Sequence, residues 1–524
     1  MSFPHTFGGL PSPVPLAYLD DNFNALSAST GGGLIGYLYP ATGAALRTLG
    51  SRLDDLATVM DFGAVGNGTA DDTGAFVNAL ASFSGSGSLY VPPGTYKITS
   101  TITIPERVKV FGAGRFSTTL LFVPSANDTL LEVSNGASMI DQAYLGDMAL
   151  TSSDTTHTKI ALNIIDGNAI VVERIAILGT TTVGGTYTWT GANSIGIKLN
   201  GRQLLQFRDI DVSADKPWSI AANPHNIISL DHCNFHNIYA TANGNPVWSV
   251  DFGASDDAYI SNSHWTGAQA WVRGTHGFYW NDGSASTTSS YALTFFGIRT
   301  EQGEADNNYM IYIAPPAAHP VYGISIKGAY GGTETTGHER RGFYFRNAKA
   351  IKLDNIIYTS ASAESLNIDS TVVGVRASEC FWQAGSTATL SGQRYVDASP
   401  FDPNTGALSP SFTLDASANT KATKFSEVAH SSPSITLADG AETSILGANA
   451  VGTLSVHTNN GAAFSAVIAG GSFSTTTTLG SWSTTYNNAG TMNVCYNGGV
   501  YKIQNKTGSS RNVRWDLAGS LETF

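Results

Sequence analysis

VMDFGAVGNGTADDTGAFVNALASFSGSGSLYVPPGTYKI, residues 59–98, is where the architecture of this chain can first be read. Asp61-Phe62-Gly63-Ala64 opens as a short apolar strand, and Gly66-Asn67-Gly68 forces a turn, because glycine accepts positive φ without strain. Thr69 stands where a helix N-cap belongs, with Asp71 and Asp72 in the first turn, where carboxylates meet the positive end of the helix dipole. Phe76, Val77, Leu80 and Phe83 recur at helical spacing and predict one apolar stripe. Ser84-Gly85-Ser86-Gly87 stops the helix. Leu89-Tyr90-Val91 and Tyr96-Lys97-Ile98 follow as strands, separated by the Pro92-Pro93-Gly94 turn.

A short helix that must bury one face, followed at once by short strands, suits a plug over the open end of a β-solenoid. Such an end would otherwise expose unpaired backbone and an apolar core. The string DFGAVGNGTADDTGAF…LYVPPGTY closely resembles the opening of the pectate-lyase-like right-handed parallel β-helix superfamily, as found in bacteriophage tailspikes. The resemblance implies the fold and says little about chemistry. Asp71-Asp72 could be a metal or acid pair, but helix capping is the reading taken here.

Composition narrows the rest. Charged residues make up 13% of the 524 positions and the net charge is −12. That excludes a long-helix protein and argues against a nucleic-acid partner, which needs a basic face. No apolar run is long enough to span a membrane, and the first residues carry no secretory signal pattern. Cys233, Cys380 and Cys495, far apart and odd in number, predict neither a disulfide framework nor a zinc site, only buried thiols. No metal or cofactor motif is present: no GxSxG elbow, no phosphate-binding glycine loop and no HExxH.

Residues 1–50 have the character of an attachment segment. Pro4, Pro11, Pro13 and Pro15 keep the start extended. PLAYLDDNFNAL, over residues 15–26, resembles the beginnings of phage tail proteins, which implies a tail or baseplate partner on the virion. Residues 51–398 are expected to form the parallel β-helix with its substrate groove, and from about 100 to 395 they repeat a loose unit of short apolar strands separated by Gly-, Asn-, Asp- and Ser-rich turns. The inward anchors Ile175, Ile210, Phe235, Trp265, Ile298, Ile326, Ile356 and Cys380 are spaced 24 to 35 residues apart, a period expected for a solenoid. A propeller blade needs four strands per unit and offers the plug no role. Past Pro400 and Pro403 the texture changes, and 399–524 predicts a β-sandwich-like all-β domain, for which the resemblance to tailspikes implies trimerisation or sugar binding. Its Ser474-to-Thr478 run reads as an exposed edge or turn.

If the anchors face inward, their neighbours face out. The middle turns then present one ladder containing Asp209, Asp211, His236, His264, Arg299 and Glu301. A polysaccharide is the partner such a ladder suits, with Trp271 and Trp280 as sugar-stacking platforms in loop-like contexts. Glycoside hydrolysis needs two carboxyl groups within about 5–9.5 Å. Asp211 and Glu301, three turns apart, are separated by roughly 14 Å. Glu301 therefore needs a nearer partner: Asp282, Glu304 or Asp256-Asp257, with Asp282 favoured. Asp209, Asp211 and His236 would line subsites. A lyase would instead use His264 or His236 as base and Arg299 or Lys327 as the cation. The family likeness implies a phage tailspike depolymerase on the virion tail, assembled as a homotrimer. Endo-glycosidic hydrolysis is the leading expectation, with β-elimination and a non-catalytic adhesin as alternatives.

Overall fold

The computed structural model describes residues 16–28, 33, 35–53, 55–136, 138–178, 189, 193–222, 228–252, 259–273, 275–281, 288–301, 308–332, 341–359, 364–378, 380–382, 387–390, 412–414, 430–431, 435–447, 451–458, 463–469, 472–479, 482–485, 487–497 and 500–520. Two compact units divide the chain. One comprises 1–391 with 397–416, the other 392–396 with 417–524.

The plug forms with different local geometry from that expected. Val59–Phe62 is a 3-10 turn, not a strand. Thr58 and Asp61 cap it reciprocally, and Gly63 closes it at φ +94°. Asn67–Asp71 is a strand, so Thr69 caps nothing, and the helix Thr73–Ala81 begins after Asp72. Asp72, 2% exposed, accepts backbone N–H bonds from Val65 at 2.6 Å and Gly66 at 3.2 Å. Asp71 accepts from the Thr73 amide at 3.1 Å and from the hydroxyls of Thr73 and Thr99. Both carboxylates are thus committed to local structure. The helix buries Ala75, Phe76, Ala79 and Leu80, while Val77 is 46% exposed and leaves the expected stripe.

Beyond the plug the chain is a right-handed parallel β-helix. One wall, here the long wall, is a twelve-stranded parallel sheet from Ile102–Ile104 to Phe412–Leu414. The remainder of each coil is folded by two bends, each a single residue with left-handed backbone. The first bend falls at Gln142, Ala169, Leu204, His232, Asn262, Ala292, Gly323 and Ala350. The second falls five residues later, at Asp147, Arg174, Asp209, Asn237, Gly267, Gly297, Gly328 and Asn355. Seven of those eight second-bend residues are Asp, Asn or Gly, the types that tolerate positive φ best.

All eight anchors are buried, at 2% exposure or less. The core is aromatic through the middle coils. Phe207, Phe235, Trp265 and Phe295 stack at 5.3, 5.1 and 4.7 Å, with Trp218 and Trp248, 4.3 Å apart, edge-on beside them. Each such pair adds about 0.5–1.5 kcal/mol beyond its buried area. The three cysteines are buried thiols.

The N-terminal residues form the helix Leu16–Ser27 and an antiparallel hairpin of Gly36–Leu38 with Leu46–Thr48. In the second unit, a six-stranded and a four-stranded sheet share a core of Leu454, Val456, Phe464, Val494, Tyr501, Ile503 and neighbouring residues. Its strand Ser472–Leu479, containing the STTTT run, lies at the edge of the larger sheet.

Candidate functional site

The second bend splits the expected ladder into two rows. Ile210 is in register with Ile238, three residues past the anchor Phe235, which pairs with Phe207 instead. Before the bend the outward row runs Arg208, His236 and Thr266, and continues later through Lys327 and Asp354. After the bend it runs Asp211, Tyr239, Ala270, Arg299, Tyr330 and Ile357.

Asp209 occupies the bend itself and accepts from Asn237 Nδ2 at 2.9 Å. Asp211 is half-buried and paired with Arg115 at 3.1 Å. Burial pushes its carboxyl above the usual range, against the pull of Arg115. His236 is exposed, 3.4 Å from the Thr266 hydroxyl. His264 stands in a different row, between Asn234 and Thr294. Its burial, and then the charge of His232, hold its imidazole below the ordinary value. Arg299 lies next to Tyr330, its guanidinium 5.9 Å from the ring centre. Glu301 ends the same strand, in register with Val272 and Gly332; its side chain lies outside the described residues. Asp282, Glu304 and Asp256-Asp257 also lie outside them. The register keeps Asp211 three coils from the Arg299–Glu301 strand.

Trp271 and Trp280 are not surface platforms: both are 0% exposed. Trp271 packs on Trp248 and Phe295, and Trp280 on Phe252 and His319. One extra residue, Ala268, follows the Gly267 bend, so Gln269 aligns with Ile298 and Trp271 aligns inward with Ala240 and Thr300. Trp280 aligns with Val250 and Ile313, both buried positions of the long wall.

The outward aromatics are tyrosines the ladder did not include. Tyr279, Tyr312 and Tyr344 follow one another on successive strands of the long wall. Their rings stack at 5.1 and 4.4 Å, the latter pair 7° from parallel. Three residues earlier on these strands lie His276, Tyr309 and Arg341. On the next coil Glu364 and Asn367 repeat that spacing. The signal was present as four related strings: HGFY, YMIY, RGFY and ESLN.

Tyr309 donates to Glu364 Oε2 at 2.6 Å and accepts from Arg341 at 3.1 Å; Asn367 donates to the other carboxylate oxygen at 2.9 Å. Burial, then the Glu364 bond, pushes the Tyr309 phenol well above its usual range. The Tyr309 amide donates to His276 Nδ1 at 2.9 Å, so the neutral ring carries its proton on Nε2. His276 lies 4.6 Å from Tyr279, nearly parallel. The chain between Glu301 and Asn308, which contains Glu304, leads directly into Tyr309. In the sequence Asp282 instead follows Trp280 and Asn281, after the strand Phe278–Trp280 rather than before Tyr309. Phenol rings, an imidazole and a guanidinium on these successive long-wall strands supply flat faces and fixed donors for sugar rings and hydroxyls. Among the described residues, no group of three or more His, Cys, Asp or Glu could hold a metal ion.

Residues 57–272 match the family model described as rhamnogalacturonase A/epimerase, pectate lyase-like. The pre-neck appendage protein of Bacillus phage B103 is 27% identical over 226 residues, 39% of this chain and 25% of that protein. The tail spike protein of Shigella phage Sf6 is 29% identical over 148 residues, 27% of this chain and 23% of that protein. The chain thus spans about a quarter of the length of the curated relatives it matches. Among solved structures, a tailspike protein double mutant of E. coli bacteriophage HK620 covers 95% of this chain and 100% of its own, at 13% identity and a TM-score of 0.46.

Proposed function

We propose that this protein is part of a bacteriophage tailspike, carried on the virion tail, that binds and depolymerises a bacterial surface polysaccharide. The observation that carries the reading is the outward Tyr279–Tyr312–Tyr344 stack, beside the corner reached from Glu301. Stacked rings with fixed polar neighbours recur at the spacing of the coils, which suits a repeating polymer. The phage proteins it resembles, a tail spike and a pre-neck appendage protein, support the location.

In the finer reading the reaction is endo-glycosidic hydrolysis. Glu301 is one catalytic carboxyl group, and Glu304 the second, because both belong to the connection into Tyr309. Elimination finds less support: His264 and Arg299 lie on opposite sides of the second bend, and His236 and Lys327, which share the row before it, stand three coils, about 14 Å, apart. The chain assembles as a homotrimer and attaches through residues 1–50. Exposed Phe23, Leu38 and Leu46, at 68%, 57% and 72%, fit a segment that a partner covers. Residues 399–524 serve trimerisation or further sugar contact.

Size-exclusion of a capsule preparation before and after incubation tests the activity. Shortened polymer with new reducing ends and no unsaturated, ultraviolet-absorbing product is expected. Glu301→Gln should keep binding and lose at least about 100-fold in turnover. Undiminished turnover would remove Glu301 from the mechanism, and unchanged polymer size with the wild type would remove the enzyme.

A further inference from the structure

On the flank between the long wall and the second bend, the character of the outward side chains changes along the axis. The row just before the first bend runs Asp141, Asn168, Gln203, Asp231 and Ser261, then Tyr291, Tyr322 and Lys349. The row two residues past that bend runs Asn234, His264, Thr294, Ser325, Lys352 and Arg376. Outward positions on the last coils thus gather Lys327, Lys349, Lys352 and Arg376, with Asp354 as the one acid in that part of these rows among the described residues, in a chain of net charge −12. Lys327 and Lys352 share Asp354 at 3.5 and 3.8 Å, which leaves the group strongly positive.

The aromatic part adjoins this charge. Tyr291 and Tyr322 stack at 5.4 Å, 15° from parallel, and the Lys349 ammonium sits 5.0 Å from the Tyr322 ring centre. Tyr291 is 49% exposed. Its neighbour on the previous coil is Ser261, whose side chain is too small to cover the other face of the ring. Between the two rows, the bend residues Gly323 and Ala350 carry no large side chain.

We propose that this flank is a second glycan-contact surface, separate from the tyrosine wall, and that it selects an acidic polysaccharide. The inference rests on the depolymerase reading above and adds the charge class of the polymer. A sugar ring lies on the open face of Tyr291, where its C–H bonds meet the ring. Carboxylates two and three coils beyond Tyr291, about 10 and 14 Å along the axis, meet Lys352 and Arg376 in charge-assisted hydrogen bonds.

Electrophoresis of the whole protein through gels cast with polygalacturonate, or with its fully methyl-esterified form, provides the test. Retardation is expected in polygalacturonate alone, and screening by about 0.5 M salt should abolish it. The double variant Lys352→Gln/Arg376→Gln and the single variant Tyr291→Ala replace exposed side chains, and each should weaken retardation about fivefold. Equal retardation by the ester, no retardation by polygalacturonate, unchanged behaviour of the double variant, or equal binding of a single-stranded DNA oligonucleotide would each overturn the proposal. The two readings separate cleanly. Charge-dependent retardation by a protein that shortens no polysaccharide sinks the depolymerase reading alone. Polysaccharide shortened equally well by the double variant, with no retardation, sinks this one alone.

Discussion

Gly297 and Gly323 have nearly the same backbone, φ +72° and +74°, yet their surroundings differ. A Cβ at Gly323 would meet nothing nearer than the Ala292 amide at 3.6 Å, an ordinary contact. A Cβ at Gly297 would lie 2.4 Å from the Gly267 carbonyl oxygen of the preceding coil. Alanine in left-handed backbone costs about 1–2 kcal/mol, and the stiffer unfolded chain returns about 0.5–1. Gly323→Ala should therefore cost roughly 1 kcal/mol. Gly297→Ala carries the same strain and must also push the coils apart by at least 0.6 Å, from 2.4 to the 3.0 Å that real Cβ contacts respect. Overpacking of that kind adds about 1–3 kcal/mol, for a total of about 2–4. Urea unfolding followed by tryptophan fluorescence, at constant m, reads the difference. Because Gly297 lies just before Arg299 and Glu301, its variant should also lose turnover, whereas Gly323→Ala should keep it. Equal costs for the two variants would refute the close approach of coils at the second bend.

Trp248 tests whether the tryptophans belong to the core. It is 0% exposed, and its indole N–H has no hydrogen-bond partner. Trp248→Ala should cost about 3–5 kcal/mol. Trp248→Phe removes a buried orphan donor, a relief of about 1–3 kcal/mol that offsets a void costing about 1. Its unfolding midpoint should stay near wild type, and a loss as large as that of alanine would show that the N–H is satisfied. A further prediction concerns acid stability. The folded pKa of His264 is lowered, so the unfolded chain takes up the proton first. Its contribution is intact above the ordinary value of about 6.5 and falls as pH drops through it towards the lower folded pKa. Unfolding midpoints of His264→Gln measured across pH 7 to about 5 should fall less steeply than wild type; parallel curves would reject the assignment.

Much of the fold was legible because it depends on residue type. Glycines and acids in residues 59–98 mark the plug, and alternation picked eight anchors that are all buried. Register was not legible, and the reason is geometric. A left-handed residue interrupts the in-out alternation, so Phe235 and Ile238, three apart, both face inward around Asn237. Hydrophobicity cannot distinguish the strand before the bend from the one after it, so anchors from both join into one ladder, which sets His236 and His264 beside Asp211 and Arg299.

The information that resolves register lies in the polar residues between the apolar ones. Asp209, Asn237, Gly267, Gly297, Gly328 and Asn355 each stand at the second bend, and coils counted from them align correctly. The same count exposes the inserted Ala268 that turns Trp271 inward. On the long wall no left-handed residue intervenes between His276 and Tyr279, Tyr309 and Tyr312, or Arg341 and Tyr344. Plain alternation would set residues three apart on opposite faces, yet His276 and Tyr279, and Tyr309 and Tyr312, lie with ring centres 4.6 and 5.5 Å apart, so the pleat is interrupted there without a left-handed residue. Outward chemistry on a parallel coil is a property of columns, so a side chain becomes part of a site through its neighbours about 4.8 Å above and below rather than through its neighbours in sequence.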